Sequence, residues 1–239
     1  MGSDPFSKDL WLGEQLGKPA WSVNTAALES PNQLCDFVDT LRGAGRPFFV
    51  QSRVAVLDLQ GIRLLQKGGL FLVDTNVVLE KNMEPDWKPA QDTVVRLADA
   101  GDEESVRRIA ANSFSVDRFH IDPEVGQDVA DALQGAWAAN YFKGARGDWM
   151  GVAEISGRVV GFLSLLLAPD LATIDLIAVE EAAQGRGAGR ALVGFAQQSH
   201  PVVPSLRVGT QAANAASIRF YNRCGFQYQK ADYIFHLHG

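Results

Sequence analysis

The sequence holds no apolar run approaching the ~20 residues that a membrane-spanning helix needs, so no membrane partner is expected. Its first residues, MGSDPFS, lack the basic start and apolar stretch of a secretion signal. They read as a cloning remnant over 1–7, and a cytoplasmic location is the expectation. Basic residues are fewer than acidic ones, 22 Lys and Arg against 28 Asp and Glu, which excludes a general electrostatic footprint for nucleic acid. Any anion must be bound by a local site. Cysteine is scarce. Cys35 and Cys224 stand far apart with no metal-type neighbour at close spacing, the pattern of two reduced thiols packed as small apolar groups. Internal repeats and low-complexity tracts are missing as well.

What remains is an ordinary globular composition, 239 residues with 46% hydrophobic and 21% charged, enough for one large domain or two small ones. The segment KNMEPDWKPAQD interrupts the periodicity with two prolines and five charges. It divides the chain into a small N-terminal α/β domain over 8–82, a linker over 83–92 and a larger domain over 93–239.

In the first half, ESPNQLCDFVDTLRGAG reads as a helix capped by Ser30, with Pro31 in its first turn, Leu34, Phe37, Val38 and Leu41 on one face, and Gly43 at its end. RPFFVQSRVAV is strand-like, LDLQGIRLLQKGG is a second helix and LFLVDTNVVLE a second strand. The second half predicts β-α-α-β-β-β-α-β-α-β. Asp102 and Glu103 open its first helix. The next helix begins near Asp122–Pro123, with Val125, Val129, Leu133, Trp137 and Tyr141 on a common face. Two strands turn at Ser156–Gly157. Hairpins and helical crossovers alternate, so the sheet should be mixed.

One stretch carries chemistry. In IDLIAVEEAAQGRGAGRALVGFAQQ a strand enters a loop with three glycines in five residues and then a helix. A helix start offers unpaired N–H groups and the positive end of its dipole, and glycines let an anion approach them, so a phosphate is the natural guest. A Walker A loop would need Lys and then Ser or Thr after its last glycine, but Gly189 is followed by Arg190 and Ala191. A dinucleotide fingerprint needs G-x-G-x-x-G, and Gly185-x-Gly187-x-Gly189 is one residue short.

The spacing Gln184-x-x-Gly187-x-Gly189 closely resembles the acetyl-CoA pyrophosphate loop of the GNAT superfamily of N-acetyltransferases. The resemblance implies a GNAT fold of the α/β (α+β) class with a mixed central sheet, preceded by a smaller, partial GNAT-like domain. It also implies acetyl-CoA as cofactor, with the backbone of Gln184, Gly185, Arg186, Gly187, Ala188, Gly189 and Arg190 around the pyrophosphate. Leu176, Ile177, Ala178 and Val179 map onto the splayed strand that pairs with pantetheine, and an N–H near Ile177 becomes an oxyanion donor. In NAASIRFYNRCGF, Asn214 caps a helix and contacts the cofactor together with Ser217, while Tyr221 protonates the departing thiolate. Without that spacing, Tyr221 would read as a core aromatic.

The whole chain is similar to the two-domain branch exemplified by dTDP-fucosamine acetyltransferase, more so after residue 93. That likeness implies a dTDP-linked aminosugar as acceptor. DRFHIDPE then becomes the acceptor loop, with Arg118 and Phe119 meeting phosphates and base, His120 as catalytic base and Asn140 facing the acceptor. The alternative reading of this loop is structural. Glu154 and Asp175 are further candidates for steering a water. His236 and His238 lie on one strand face, but two residues do not make a metal site, so no metal is expected. Two rival functions stay open: acetylation of a peptide, lysine or alkylamine, and non-catalytic acyl-CoA binding. A small first domain with apolar strands favours a homodimer.

Overall fold

The computed structural model describes residues 4–30, 32–84 and 93–239; Pro31 and most of the expected linker lie outside the described residues. The strands are β1 (Phe6–Asp9), β2 (Ala20–Val23), β3 (Phe49–Ala55), β4 (Phe71–Asn82), β5 (Val94–Leu97), β6 (Trp149–Ile155), β7 (Arg158–Ala168), β8 (Leu171–Val179), β9 (Ser205–Gln211) and β10 (Gln227–His238). The helices are α1 (Leu10–Leu16), α2 (Gln33–Gly43), α3 (Leu59–Lys67), α4 (Glu103–Ser113), α5 (Gln127–Ala139), α6 (Ala188–Ser199) and α7 (Ala215–Arg223).

All ten strands form one mixed sheet in the order β1-β2-β3-β10-β4-β9-β8-β7-β6-β5, with β2–β3 and β8–β9 parallel. The last strand therefore sits between β3 and β4 of the first half, bonded to both. The ladder alternates side chains between two faces. On one face, α2 and α3 pack Leu34, Val38 and Leu65 against Val50, Val54, Phe235 and Leu237. Farther along, Leu192 of α6 and Tyr221 of α7 join Leu163, Leu165 and Val208. On the other face lie α4, through Val106 and Ile109 against Val152 and Phe162, and α1 with α5, through Leu12 and Leu133 around Phe49 and Phe119.

The predicted order of the second half is found, and so is its hairpin turn. Ser156 and Gly157 both have positive φ, 53° and 73°, as a two-residue turn that follows the twist of its strands requires. Several local expectations change. Phe6 and Ser7, set aside as remnant, pair with Val23 and Ser22, and Phe6 stacks on Phe37. Helix α2 starts at Gln33 without a side-chain cap: its N-cap residue is Asn32 rather than Ser30, and the Asn32 side-chain oxygen accepts from Lys67 instead. Helix α5 starts at Gln127 rather than near Asp122, whose carboxylate is taken up by other partners described below. Val129 is exposed; the buried face of α5 runs through Ala130, Leu133, Gln134 and Ala138. Strands β1 and β2 and helix α1 went unread: their runs are four to seven residues, too short to show a period.

Candidate active site

Strands β8 and β9 pair only from Leu171–Ser205 to Ile174–Val208 and then part. Beyond that point Leu176 to Val179 stay bonded to Ser164 through Gly161 of β7, so their other backbone edge has no strand beside it. An irregularity falls at the same place, where Asp175 is the extra residue between Ile174 and Leu176. This is the wedge into which a strand-like ligand can fit.

The glycine loop follows directly. Glu180 is held by Arg108 at 2.5 Å and Arg158 at 2.6 Å, and Gln184 donates from its side chain to the Val179 carbonyl at 3.1 Å. Gly185 and Gly187 have φ of 75° and 90°, values that favour glycine, and Gly187 caps α6. Gly189 serves packing instead. A Cβ there would lie 3.2 Å from the Phe220 ring of α7. Among the described residues, no backbone N–H from Gly185 through Arg190 has a protein acceptor, while Ala191 already bonds to Gly187. Six consecutive donors at a helix start fit the two phosphates of coenzyme A.

Helix α7 is capped by Asn214, which accepts the Ser217 N–H at 3.0 Å, so its side-chain oxygen is spent on the backbone. Tyr221 is 4% exposed and has no hydrogen bond to any described residue. Burial pushes its phenol well above the usual value, so it stays protonated. A protonated donor without a protein acceptor suits delivery of a proton to a thiolate.

A family model described as the acetyltransferase (GNAT) family matches residues 105–226, the stretch that contains wedge, loop and α7. The chain belongs to the GNAT family. Its relatives include the spore coat polysaccharide biosynthesis protein SpsD of Bacillus subtilis (strain 168), 28% identical over 243 residues that cover 97% of this chain and 82% of SpsD. A mycothiol acetyltransferase of Mycobacterium sp. (strain MCS) is 32% identical over 152 residues, 58% of this chain and 47% of that one. The solved tandem GNAT protein from the clavulanic acid biosynthesis pathway shares the fold, with a TM-score of 0.65 at 12% identity over 93% of this chain and 76% of its own. As a GNAT member the protein is an acetyltransferase that uses acetyl-CoA.

The loop between α4 and α5 lies against β3 and β10 rather than beside the wedge strands. Phe119 is buried and tilted against Phe49 and His236. Asp117 and Asp131 hold the two ring nitrogens of His120, Asp131 at 2.9 Å. Both ring nitrogens are thus engaged by carboxylates of the loop and of α5, which fix the ring in place. Arg118 differs: its guanidinium lies 4.5 Å from the Phe119 ring centre and donates to Gln51 at 2.6 Å. Asn140 caps α5 and its carbonyl accepts the Ala145 N–H.

The two strand carboxylates are committed. Glu154 pairs with Arg96 at 2.6 Å. Asp175, at the wedge mouth, is gripped by Arg146 at 2.6 and 2.8 Å and by the Trp137 indole N–H at 3.1 Å. His236 and His238 gain a third partner that the sequence did not reveal: both donate to one oxygen of Asp122, at 2.6 and 2.8 Å. Lys18 donates to the remaining nitrogen of His238 at 3.0 Å, which places the His238 proton on the side of Asp122. Burial holds the His236 pKa down to about 4, with Arg118 and His238 adding to it, although the bond to Asp122 pulls the other way. Asp122 is depressed below the usual carboxylate range: burial opposes its charge, but the bonds from His236, His238 and the Glu124 N–H outweigh that.

Sequence reasoning overlooked a polar strip on β3 and β4. Gln51, Asp74 and Asn76 are buried on the face covered by the Arg118 loop. The signal was there in VDTNV, where two polar residues two apart share one face of an otherwise apolar strand.

Proposed function

We propose that this enzyme acetylates the amino group of a nucleotide-linked, dTDP-type amino-deoxysugar by direct transfer from acetyl-CoA. What carries the acceptor assignment is the match to SpsD, which extends over both halves, including the polar strip that the first half contributes. SpsD is named for polysaccharide biosynthesis, and an activated aminosugar is a substrate of that chemistry.

Acetyl-CoA supplies a thioester, whose carbonyl carbon is open to a neutral amine. In this reading the free edge of Leu176 to Val179 holds the pantetheine arm as a neighbouring strand would. The N–H near Ile177 stabilises charge developing on the carbonyl oxygen. The N–H groups of Gly185 to Arg190 hold the pyrophosphate, and Asn214 and Ser217 fix the start of α7 beside it. Tyr221 gives its proton to the departing sulfur. With His120 locked between two carboxylates, the amine's proton leaves to ordered water.

The test is release of free thiol from acetyl-CoA against dTDP- and UDP-linked aminosugars, lysine peptides and alkylamines. Turnover restricted to a nucleotide aminosugar supports the proposal. A second reading, a cationic acceptor, draws on Asp74, buried on the same face, whose charge a bound cation would restore; Asp232 is already paired with Lys230. Turnover restricted to peptides or alkylamines would select that reading.

A further inference from the structure

Arg53 on β3 and Arg118 above it line an open pocket of about 300 Å³ together with Ser22, Asn24, Gln51 and Ser52. No carboxylate lines this pocket. Neither arginine forms an ion pair with any described residue. Arg118 is fixed from two sides, by its stack on buried Phe119 and by Gln51, which in turn donates to Ser22 at 3.1 Å. One guanidinium N–H is thus used inside the protein, and a guanidinium has five. A cation drawn in among protein atoms without a partner is costly, and the structure normally supplies an opposite charge.

The nearest candidates do not supply it. Burial brings the Arg118 pKa down to about 10, and the proximity of Arg53 adds to this; Asp117, Asp9 and Asp74 are near enough to oppose it but not to pair. Asp74 is itself shifted toward its neutral acid by burial, which weakens its compensation. Among the described residues none supplies the missing charge, and a bound anion would.

The sheet register says where such an anion would lead. Arg53 stands opposite Ile234, Ile234 opposite Asp74, and the neighbouring Asn76 opposite Gln211 of β9. Directly opposed residues share a face. The strip therefore runs from the arginine pocket to the part of β9 that lies beyond the wedge opening. From β3 to β9 is three strand spacings, roughly 14 Å at ~4.8 Å each. Along it the Asn76 side-chain NH2 is buried without an acceptor. A donor in that position can meet a hydroxyl of an uncharged ring lying between the anion and the wedge.

We infer that Arg53 and Arg118 form a subsite for the diphosphate of the acceptor, with the sugar laid across Asp74 and Asn76 toward the wedge. This rests on the proposed nucleotide-sugar acceptor and adds to it the site that recognises the carrier, contributed largely by the first half of the chain.

The experiment is a calorimetric titration of the full chain with dTDP in the presence of saturating CoA, so that the loop at 185–190 is already filled. Wild type is compared with Arg53→Gln and Arg118→Gln at low and high salt. Binding that falls about tenfold or more in each variant, and weakens with salt, supports the subsite. Absence of dTDP binding, or equal binding by all three proteins, overturns it. Should Arg118→Gln fail to fold by circular dichroism, Arg53→Gln decides alone, since Arg53 is exposed and its removal leaves the core intact. The acceptor panel separates the two ideas. Arginine-dependent dTDP binding with turnover of peptides only would keep the subsite and remove the sugar acceptor. Turnover of a nucleotide aminosugar with an unchanged KM in both variants would keep the acceptor and remove the subsite.

Discussion

Gly189 and Phe220 touch: a Cβ on the glycine would lie 3.2 Å from the ring, tighter than ordinary contact. The loop glycine thereby ties α6, whose start faces the phosphates, to α7, which carries Tyr221. Gly189→Val should lower Tm by several degrees and weaken CoA binding, whereas Gly189→Ala needs only a small ring shift and should cost less. Gly187 acts differently, through its φ of 90°, and Gly187→Ala should cost about 1 kcal/mol from backbone strain. Thermal melts and CoA titration of the three variants check this; an unchanged Tm in Gly187→Ala would contradict the backbone argument.

Removing the Tyr221 hydroxyl should separate chemistry from binding. Tyr221→Phe loses no protein hydrogen bond, so stability should change by less than about 1 kcal/mol while kcat falls by about a hundredfold or more and CoA affinity stays. Because burial raises the phenol's pKa, the wild-type pH–rate profile should show no falling limb from this group below its ordinary value of about 10. Equal loss of kcat and CoA affinity would count against the proton-donor role.

Glu180 should act on binding alone. Its two arginine partners are 47% and 65% exposed, so Glu180→Gln costs little stability. Releasing the clamp lets the start of the glycine loop move, and the KM for acetyl-CoA should rise several-fold with kcat nearly unchanged. A fall in kcat with constant KM would show that Glu180 does something else.

The His236–Asp122 pair makes stability acid-sensitive in a defined direction. His236 has a folded pKa of about 4 against an ordinary 6.5, so the unfolded chain takes up its proton first and stability falls as pH drops from about 6.5 to 4. That difference corresponds to at most about 3 kcal/mol. Asp122 is depressed, so its contribution is complete above about pH 4 and is lost as pH falls further. Both losses occur on the acid side. Denaturant melts across pH 8 to 4 on wild type and His236→Gln test it, the variant giving the shallower slope between 6.5 and 4.

The second half was legible because its signals are local. The hairpin at Ser156–Gly157, the cap at Asn214 and the loop from Gln184 to Gly189 each state their conformation within a few residues. What escaped depends on residues far apart. Asp122 meets His236 across 114 positions, and nothing in DRFHIDPE indicates that its aspartate will be claimed by the final strand. The same holds for Arg118 and Gln51, 67 positions apart, whose contact defines the pocket. A loop dense in polar residues signals that they need partners, and only the fold says which.

The place of β10 between β3 and β4 has a consequence for how the molecule is made. During synthesis the first half emerges with a gap in its sheet that only the last strand can fill, and until then the inward edges of β3 and β4 are open to mispairing. The ribosome must finish the catalytic half before the first half can close. Each half is thus a quality check on the other, since a chain stalled before β10 keeps the inward edges of β3 and β4 exposed.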